Sequence, residues 1–512
     1  MSVCVVNLGL KSMRAVVFDE DGRRLAISHH PIATEMGEGR VEQRPDDWWN
    51  AGLQALDNVL ADPQLARNVQ LFSVTASAGC LVPMTRDGTA LGNAIMISDV
   101  RAAQQAARIE ASPEFAELGN SRGRVTSDLV LPKIVWVKEN EPERFAAADW
   151  FATPNDFLLH RLTGEMVTDH HNASKYLYDP GTGAYPDCLL QSLGIELETL
   201  PPVVAPGGRT IPLRGELISR YGLPDDARAV VSTYDAICAV YGAGVADVGD
   251  ACDVSGTVTS FRVVTDRDLG DEGGGLFVAP HAAPGHFLAG GSNNLGGGII
   301  EWAKQLLYAG EADPYAAMTS EAADAPPGAA GITFLPYLLG ERAPVWDANA
   351  RAVFFGLGRN HQRPDLIRAV FEGAAFSVLD IAERLREAGV RIDRVSASGG
   401  LARLVPINQI KADMLGVPVR TTREIETTAL GAALVALVSS GRYASLSEAS
   451  AACVDFDDEY EPNEHRTAMY RDFFGVYRGL YASLRELFDE RERLIGLHRE
   501  VLRTKPAYTE NL

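Results

Sequence analysis

Positive charge is in short supply: 47 Lys and Arg stand against 68 Asp and Glu, a formal net charge of −21 over 512 residues. Such a balance offers no global field to gather a nucleic-acid backbone or an anionic membrane, so neither partner is expected. Long apolar runs are missing as well. The longest, Leu430 to Val438, falls far below the roughly 18–20 residues that a membrane span takes. The opening MSVCVVNLGLKSMRAVVFD has no basic segment leading into an unbroken apolar stretch and reads as mature protein. Cysteine is sparse and scattered: Cys4, Cys80, Cys188, Cys238, Cys252 and Cys453 form no CxxC pair and have no neighbouring His at ligand spacing. That argues against a zinc or redox site and for free thiols in a reducing, cytoplasmic setting. Neither GxGxxG nor GxxxxGK(S/T) occurs, so the Rossmann and P-loop ways of holding phosphate lack their fingerprints.

What is present is an ordinary globular composition, 46% hydrophobic and 22% charged, with 48 Gly and 27 Pro. VCVVNLGL, MRAVVFDEDG and RRLAISHHPI read as consecutive strands, with Asp21-Gly22 a hairpin signal. Asp46 to Asp62 places Trp49, Leu53, Leu56 and Leu60 at helical spacing, and Val69 to Ser77 is a strand. The same order returns later: Gly249 to Asp266 reads strand, Gly turn, strand, and Asp365 to Gly400 reads helix, strand, Gly turn. Asn7 to Asp19 lies over Val254 to Asp266, with Gly9 opposite Gly256 and an Arg shortly after each. A period of half the chain is too long for a solenoid and fits two like-folded lobes. Their boundary falls near Ala246 to Asp250, giving an α/β chain of lobes 1–246 and 247–440 and a segment 441–512. In that last segment His465 to Leu494 reads as one long amphipathic helix docking on the body.

A Gly hairpin can turn backbone N–H groups toward phosphate, although Gly at a turn also serves backbone dihedrals alone. Two facing hairpins would grip a polyphosphate. Asp235 lies between an apolar strand and a small-residue helix, where it reads either as a helix cap or as a carboxylate that takes a proton from an attacking hydroxyl. Gly399-Gly400 stands between a strand and a helix, a place where backbone closely meets a flat or anionic ligand.

These residues sit within a longer likeness. Gly331 to Leu357, with its Gly-Glu-Arg-x-Pro-x-Trp-Asp core, is similar to the second signature of the FGGY carbohydrate kinases, and Leu131 to Phe145, with Lys133 and Trp136, is similar to the first. Ile97 to Ala102, Asn155 to Ser174 and Glu426 to Ala436 also resemble segments of that family, in order, over nearly the whole chain. The resemblance implies two ribonuclease-H-like, actin-like ATPase lobes with an interlobe cleft, and ATP-dependent phosphorylation of a sugar or polyol hydroxyl, with Mg2+. It implies sugar binding and the general base Asp235 in lobe one. Nucleotide binding falls to lobe two. Gly9, Lys11, Ser12 and Arg14 and Gly256-Thr257 would serve the phosphates, Gly297 and Gly399-Gly400 would flank adenosine, and Gln409 with Asp413 would hold the helix beyond.

Several positions depart from the family pattern. The first hairpin reads Asn7-Leu8-Gly9-Leu10 where the family has Asp-x-Gly-Thr, leaving Asn7 and Asp235 as metal-side oxygens. Lys11 partly compensates. Leu404 replaces a Ser or Asn near adenosine, and Ala78, Gly79 and Cys80 replace the Met-His pair of xylulose kinases and the Arg-Glu pair of glycerol kinases. Ile97 stands where glycerol kinases carry an aromatic wall, and Asp128 where an aromatic often lies. Asp99, Arg101, Asp128 and Tyr234 are the polar candidates for the acceptor pocket. Val41 to Trp49 looks like xylulose kinases, which points to a pentulose such as xylulose. The alternative is a catalytically impaired relative that binds sugar or nucleotide as a regulator, and a homodimer is left open.

Overall fold

The first strand is buried along its whole length, and its alternation explains why. In β1 (Ser2–Leu8), Cys4, Val6 and Leu8 enter one core while Val3 and Val5 enter another, the period-two signature of a strand covered on both faces. Hairpins continue it into β2 (Ser12–Asp19) and β3 (Arg24–Pro31). Helix α1 (Pro45–Val59) then buries Trp48, Ala51, Ala55, Leu56 and Val59 against the outer face. The face centres one residue from the expected one, and Trp49 and Leu53 end up only partly buried. The computed structural model describes residues 1–37, 39–119, 124–270, 275–283 and 285–498.

Lobe one goes on through β4 (Val69–Ala76), α2 (Val130–Asn140), α3 (Pro154–Thr163), β5 (Thr210–Pro212), β6 (Arg228–Val230) and α4 (Asp235–Gly242). Its sheet runs β5-β6-β4-β1-β2-β3, with β1 antiparallel to β2 and parallel to β4. Lobe two supplies β7 (Asp250–Ser255), β8 (Thr259–Thr265), β9 (Phe277–Pro280), β10 (Phe287–Asn293), α5 (Gly297–Leu307), α6 (Arg363–Glu387), β11 (Arg394–Ser398), α7 (Val405–Leu415), β12 (Val419–Thr422), α8 (Thr427–Ser439) and β13 (Phe456–Tyr460). Its sheet runs β9-β10-β8-β7-β11-β12-β13, with β7 antiparallel to β8 and parallel to β11. The pairing of β1, β2 and β4 is therefore repeated by β7, β8 and β11, which makes the duplication read from the sequence a repeat of topology.

The lobes meet over one apolar core. It joins Val3 and Val5 of β1, Ile237, Val240 and Tyr241 of α4, Cys252 of β7 and Leu430 and Leu434 of α8. Crossing there, α4 and α8 touch backbone to backbone at Gly242 and Gly431, where no side chain fits. Polar ties add to the contact: Arg24 reaches Glu424 at 2.9 Å, and His171 Nε2 donates to Pro280 O at 2.6 Å.

The last described helix lies on the lobe-two flank. Helix α9 (Glu464–Leu497) buries Tyr470, Phe474, Tyr477 and Phe488, an aromatic stripe at helical spacing. Phe376 of α6 receives the first three, with ring centroids 5.2–6.1 Å apart. This matches the amphipathic helix expected from His465 to Leu494; the final residues of the 441–512 segment, 499–512, lie outside the described residues. Among the described residues no helix is long and apolar enough to cross a membrane.

Candidate active site

The glycine hairpins sit at equivalent places in the two lobes, at the carboxyl ends of β1 and β7. In the first, Gly9 N donates to Ser12 O at 2.9 Å; in the second, Gly256 N donates to Val258 O at 3.0 Å. Each closes a tight bend whose next two amides, Leu10 and Lys11 or Thr257 and Val258, donate to no group among the described residues. Free, convergent N–H groups on a bend are the donor set that a phosphate oxygen takes. Leu10, Lys11 and Val258 are exposed at the tips. Ser12 contributes its carbonyl to the first bend, while Arg14 pairs with Glu426 at 3.1 Å across the lobes.

The second hairpin is braced from two sides. Gly297 N donates to Gly256 O at 2.7 Å and Gly296 N to Thr257 O at 2.8 Å, so the α5 terminus holds the bend from behind. A Cβ at Gly297 would stand 2.6 Å from Gly256 O, and one at Gly399, with φ +85°, 2.5 Å from Ser255 O. Both glycines thus have a close-approach reason, whereas Gly400 faces open space. Below the bend, Lys411 pairs with Asp253, and both are buried. Gln409 donates to Asp413 Oδ1 at 3.1 Å and to Glu461 O at 2.8 Å, and Asp413 in turn accepts from Arg466 and from Asn463 N. Gln409 and Asp413 therefore anchor the chain leading into α9. Leu404 is nearly buried ahead of α7.

Asp235 begins α4, which follows β6, two strands over from β1 with β4 between. Ala76 pairs with Leu8, so Ser77 flanks Gly9 at the strand ends, and Ser77 Oγ donates to Asp235 Oδ2 at 2.8 Å. Ala236 N donates to Oδ1 at 2.7 Å. Burial pushes the Asp235 carboxyl above its ordinary value, and these two donors pull it back. The result is an ionisable carboxylate with raised basicity, held in one orientation.

The acceptor side is built by loops packing on Gly79. Its φ is +72°, a Cβ there would stand 2.2 Å from Asp128 O, and its carbonyl accepts from the fully buried Lys133 Nζ at 2.6 Å. Ala78 turns into the interlobe core. Asp99 and Arg101, expected as acceptor contacts, bond to each other, while Arg101 Nη1 is buried with no hydrogen-bond partner among the described residues. Asp99 takes four bonds, from Val41 N, Arg101 N, Nε and Nη2, at 2.6–3.0 Å. Arg101 also reaches Glu42 at 2.5 Å and lies over Trp136 at 4.9 Å. With no lone pair left over, Asp99 fixes Arg101 against the Val41 backbone. Asp128 accepts from Thr126 Oγ1 and is held low by hydrogen bonding and by Lys175 and Lys133, against the pull of burial. Tyr234 is buried with its hydroxyl pKa raised by burial, under the Lys175 ammonium at 5.5 Å.

Sequence reasoning passed over Ser77, Lys175 and Glu341. Ser77 had a signal, lying between the strand and Gly79. Glu341 sits inside the Gly-Glu-Arg motif; it accepts from Asn294 N at 2.9 Å and Arg342 N at 2.7 Å, tying that loop to the approach to Gly296.

A duplicated α/β chain whose two lobes each carry a glycine hairpin after the first strand has the two-lobe, actin-like architecture. Model matches make this specific: residues 2–242 match the N-terminal domain and residues 254–440 the C-terminal domain of the FGGY family of carbohydrate kinases, and the chain belongs to that family. A xylulose kinase of Bacillus subtilis is 27% identical over 491 residues, covering 94% of this chain and 97% of that one. The structure of a ligand-bound xylulose kinase from Lactobacillus acidophilus is similar at TM-score 0.87 and 27% identity, over 96% of this chain and 99% of that one. A gluconate kinase from the same organism follows at TM-score 0.86 and 27%, over 94% and 98%. The protein is a carbohydrate kinase with ATP as co-substrate.

Proposed function

We propose that this kinase transfers the γ-phosphoryl group of ATP to a hydroxyl of a sugar or polyol, with Asp235 as the general base. The observation that carries the reading is a carboxylate held by Ser77, which itself follows the strand next to a hairpin with free amides. The acceptor hydroxyl gives its proton to Asp235, its oxygen bonds to the γ-phosphorus, and the bond to the β-γ bridging oxygen breaks to release ADP. Transfer of this kind asks chiefly for positioning and charge stabilisation, which the amides of Leu10, Lys11, Thr257 and Val258 are placed to give. A pentulose such as xylulose is the starting acceptor, supported by the xylulose kinase relatives and the Val41 to Trp49 segment.

Mg2+ is expected with the nucleotide, where it neutralises phosphate charge. The donors present fit a hydrated ion that takes one or two protein oxygens and the rest from phosphate and water. They are the Asp235 carboxylate and the Asn7 amide, which is nearly buried at the end of β1 and has no hydrogen-bond partner among the described residues. An amide is the weaker of the two because it carries no net charge.

Coupled ADP release across pentuloses, hexuloses, polyols and aldonates tests the reading. Asp235→Ala should lower kcat by about 10²–10⁴-fold while nucleotide still raises the melting temperature. Unchanged turnover would refute the base. The regulator alternative takes its motive from Asn7, Leu10 and Leu404; it is excluded if the unmodified chain turns over a carbohydrate at an ordinary kinase rate, and favoured if only Asn7→Asp does so.

A further inference from the structure

A cation in the cleft lacks a partner. Lys175, just past the turn that begins at Asp169, is half-buried with its ammonium over the ring of Tyr234, the residue before Asp235. Its Nζ makes no hydrogen bond and no ion pair among the described residues. The charges facing it come from both lobes: Asp128 of lobe one favours its ionised form, and Arg262 of lobe two opposes it. Neither neutralises it by contact.

The other charged groups nearby are already engaged. Asp128 is turned to Thr126 Oγ1. Arg262 donates to Phe261 O at 2.9 Å, to Ser292 Oγ at 3.1 Å and to Gly291 O, and stacks on Phe277 at 4.5 Å. Lys133 is spent on Gly79 O. Of Lys133, Lys175 and Arg262, Lys175 alone has no hydrogen-bond acceptor among the described residues, and it lies over Tyr234, the residue before Asp235. Burial lowers its pKa against the pull of the Asp128 carboxylate, the mark of an ammonium that has lost water without gaining a direct ion pair. A neutral ketose offers hydroxyl and carbonyl oxygens only, so it would leave the ammonium without a contacting anion. A carboxylate would compensate it and form charge-assisted hydrogen bonds at the same time.

We propose that Lys175 is a specificity-determining residue that binds a carboxylate of the acceptor, making the preferred substrate a sugar acid of the open-chain aldonate kind. This rests on the kinase reading above and replaces its neutral pentulose with an anionic acceptor. The γ-phosphate of ATP is the other anion that could enter the cleft. The groups facing Lys175 are Tyr234 and Asp128 of lobe one and Arg262 of lobe two, and no hydrogen bond or ion pair joins it to a hairpin residue among the described residues.

Steady-state ADP release with aldonates and ketoses of matched carbon number, on the unmodified chain and on Lys175→Gln and Lys175→Arg, tests it. Expected is a selectivity for one aldonate over the matched ketose. Lys175→Gln should reduce that selectivity by about 10- to 100-fold through the aldonate KM, Lys175→Arg should restore part of it, and the KM for ATP should stay put. A KM for ATP that rises equally with every acceptor assigns Lys175 to phosphate and overturns the proposal. So does a ketose preference that Lys175→Gln leaves unaltered, an outcome in which the kinase reading survives. If no acceptor is phosphorylated, that reading fails, and thermal shift decides the present one. An aldonate-induced rise lost in Lys175→Gln upholds it, and no rise sinks it.

Discussion

Gly242 of α4 and Gly431 of α8 face each other where the two lobes join, and a Cβ on either would stand 1.8 Å from a carbonyl oxygen of the opposite helix, Thr427 O or Cys238 O. Both contacts are with backbone, so nothing can rotate aside. Asp235 and Glu426 lie at the starts of these same helices, and the crossing therefore sets how the proposed base and the partner of Arg14 are presented.

Gly431→Ala should accordingly cost more than the ordinary overpacking range of about 1–3 kcal/mol and lower the melting temperature sharply. Gly475→Ala on α9 is the control, since nothing lies within 4 Å of a Cβ there; it should be neutral or stabilise by up to about 1 kcal/mol, the helix-propensity difference between the two residues. Equal melting temperatures for the two variants would show that the crossing is not tight.

Ser77→Ala should move the acid limb of the kcat/KM profile. Burial raises the Asp235 pKa and the Ser77 hydroxyl lowers it, so removing the hydroxyl lets the pKa climb further and the ionised base is lost at a higher pH. A hydrogen bond to a charged group is worth about 1.5–3 kcal/mol, equivalent to a shift of about one to two pH units. Activity should recover toward alkaline pH. A loss that is uniform across pH would assign Ser77 to packing instead.

The hairpins and the duplication were legible because glycine turns and strand alternation are local properties, carried by Asn7 to Asp19 and Val254 to Asp266 themselves. The fate of Asp99 was not. Its lock draws on Val41 N, 58 positions away in the chain, and no spacing rule announces a partner at that range. Arg14 likewise spends its charge on Glu426, 412 positions on. Lys175 escaped notice because a single lysine after a helical turn has no motif; only the fold brings it over Tyr234.

A buried carboxyl remote from the cleft gives stability its own pH dependence. Asp156 accepts from Thr153 N at 2.7 Å and Thr153 Oγ1 at 2.8 Å at the start of α3, and burial lifts its pKa to about 7. The folded value lies above the unfolded one, about 3.9. The protonated form is thus favoured by folding, and the contribution is full below about pH 4 and lost as pH rises toward 7. Asp156→Asn keeps an acceptor for Thr153 and cannot ionise. Its melting temperature relative to the unmodified chain should therefore climb between pH 5 and 8, while a constant difference would place the proton elsewhere.

Docking of α9 is tested by the most buried of its tyrosines. Tyr470 is 0% exposed, and its hydroxyl sits between Arg368 Nη2 at 2.8 Å and Glu372 Oε1 at 2.7 Å, both on α6. Glu372 also accepts from Arg368 Nε at 2.7 Å and from Gly328 N at 2.9 Å. Tyr470→Phe keeps the ring on Phe376 and removes only the oxygen, stranding the Arg368 Nη2 donor in a dry site while Glu372 keeps its other two donors. That should cost about 1–3 kcal/mol. Tyr481→Phe removes a hydroxyl bonded to Asp347 at 3.0 Å, where both side chains are only partly buried, so water can replace the bond and the cost should be smaller. If urea midpoints for the two variants coincide, the Arg368-Tyr470-Glu372 cluster is not what fastens the C-terminal helix, and its aromatic stripe alone must hold it.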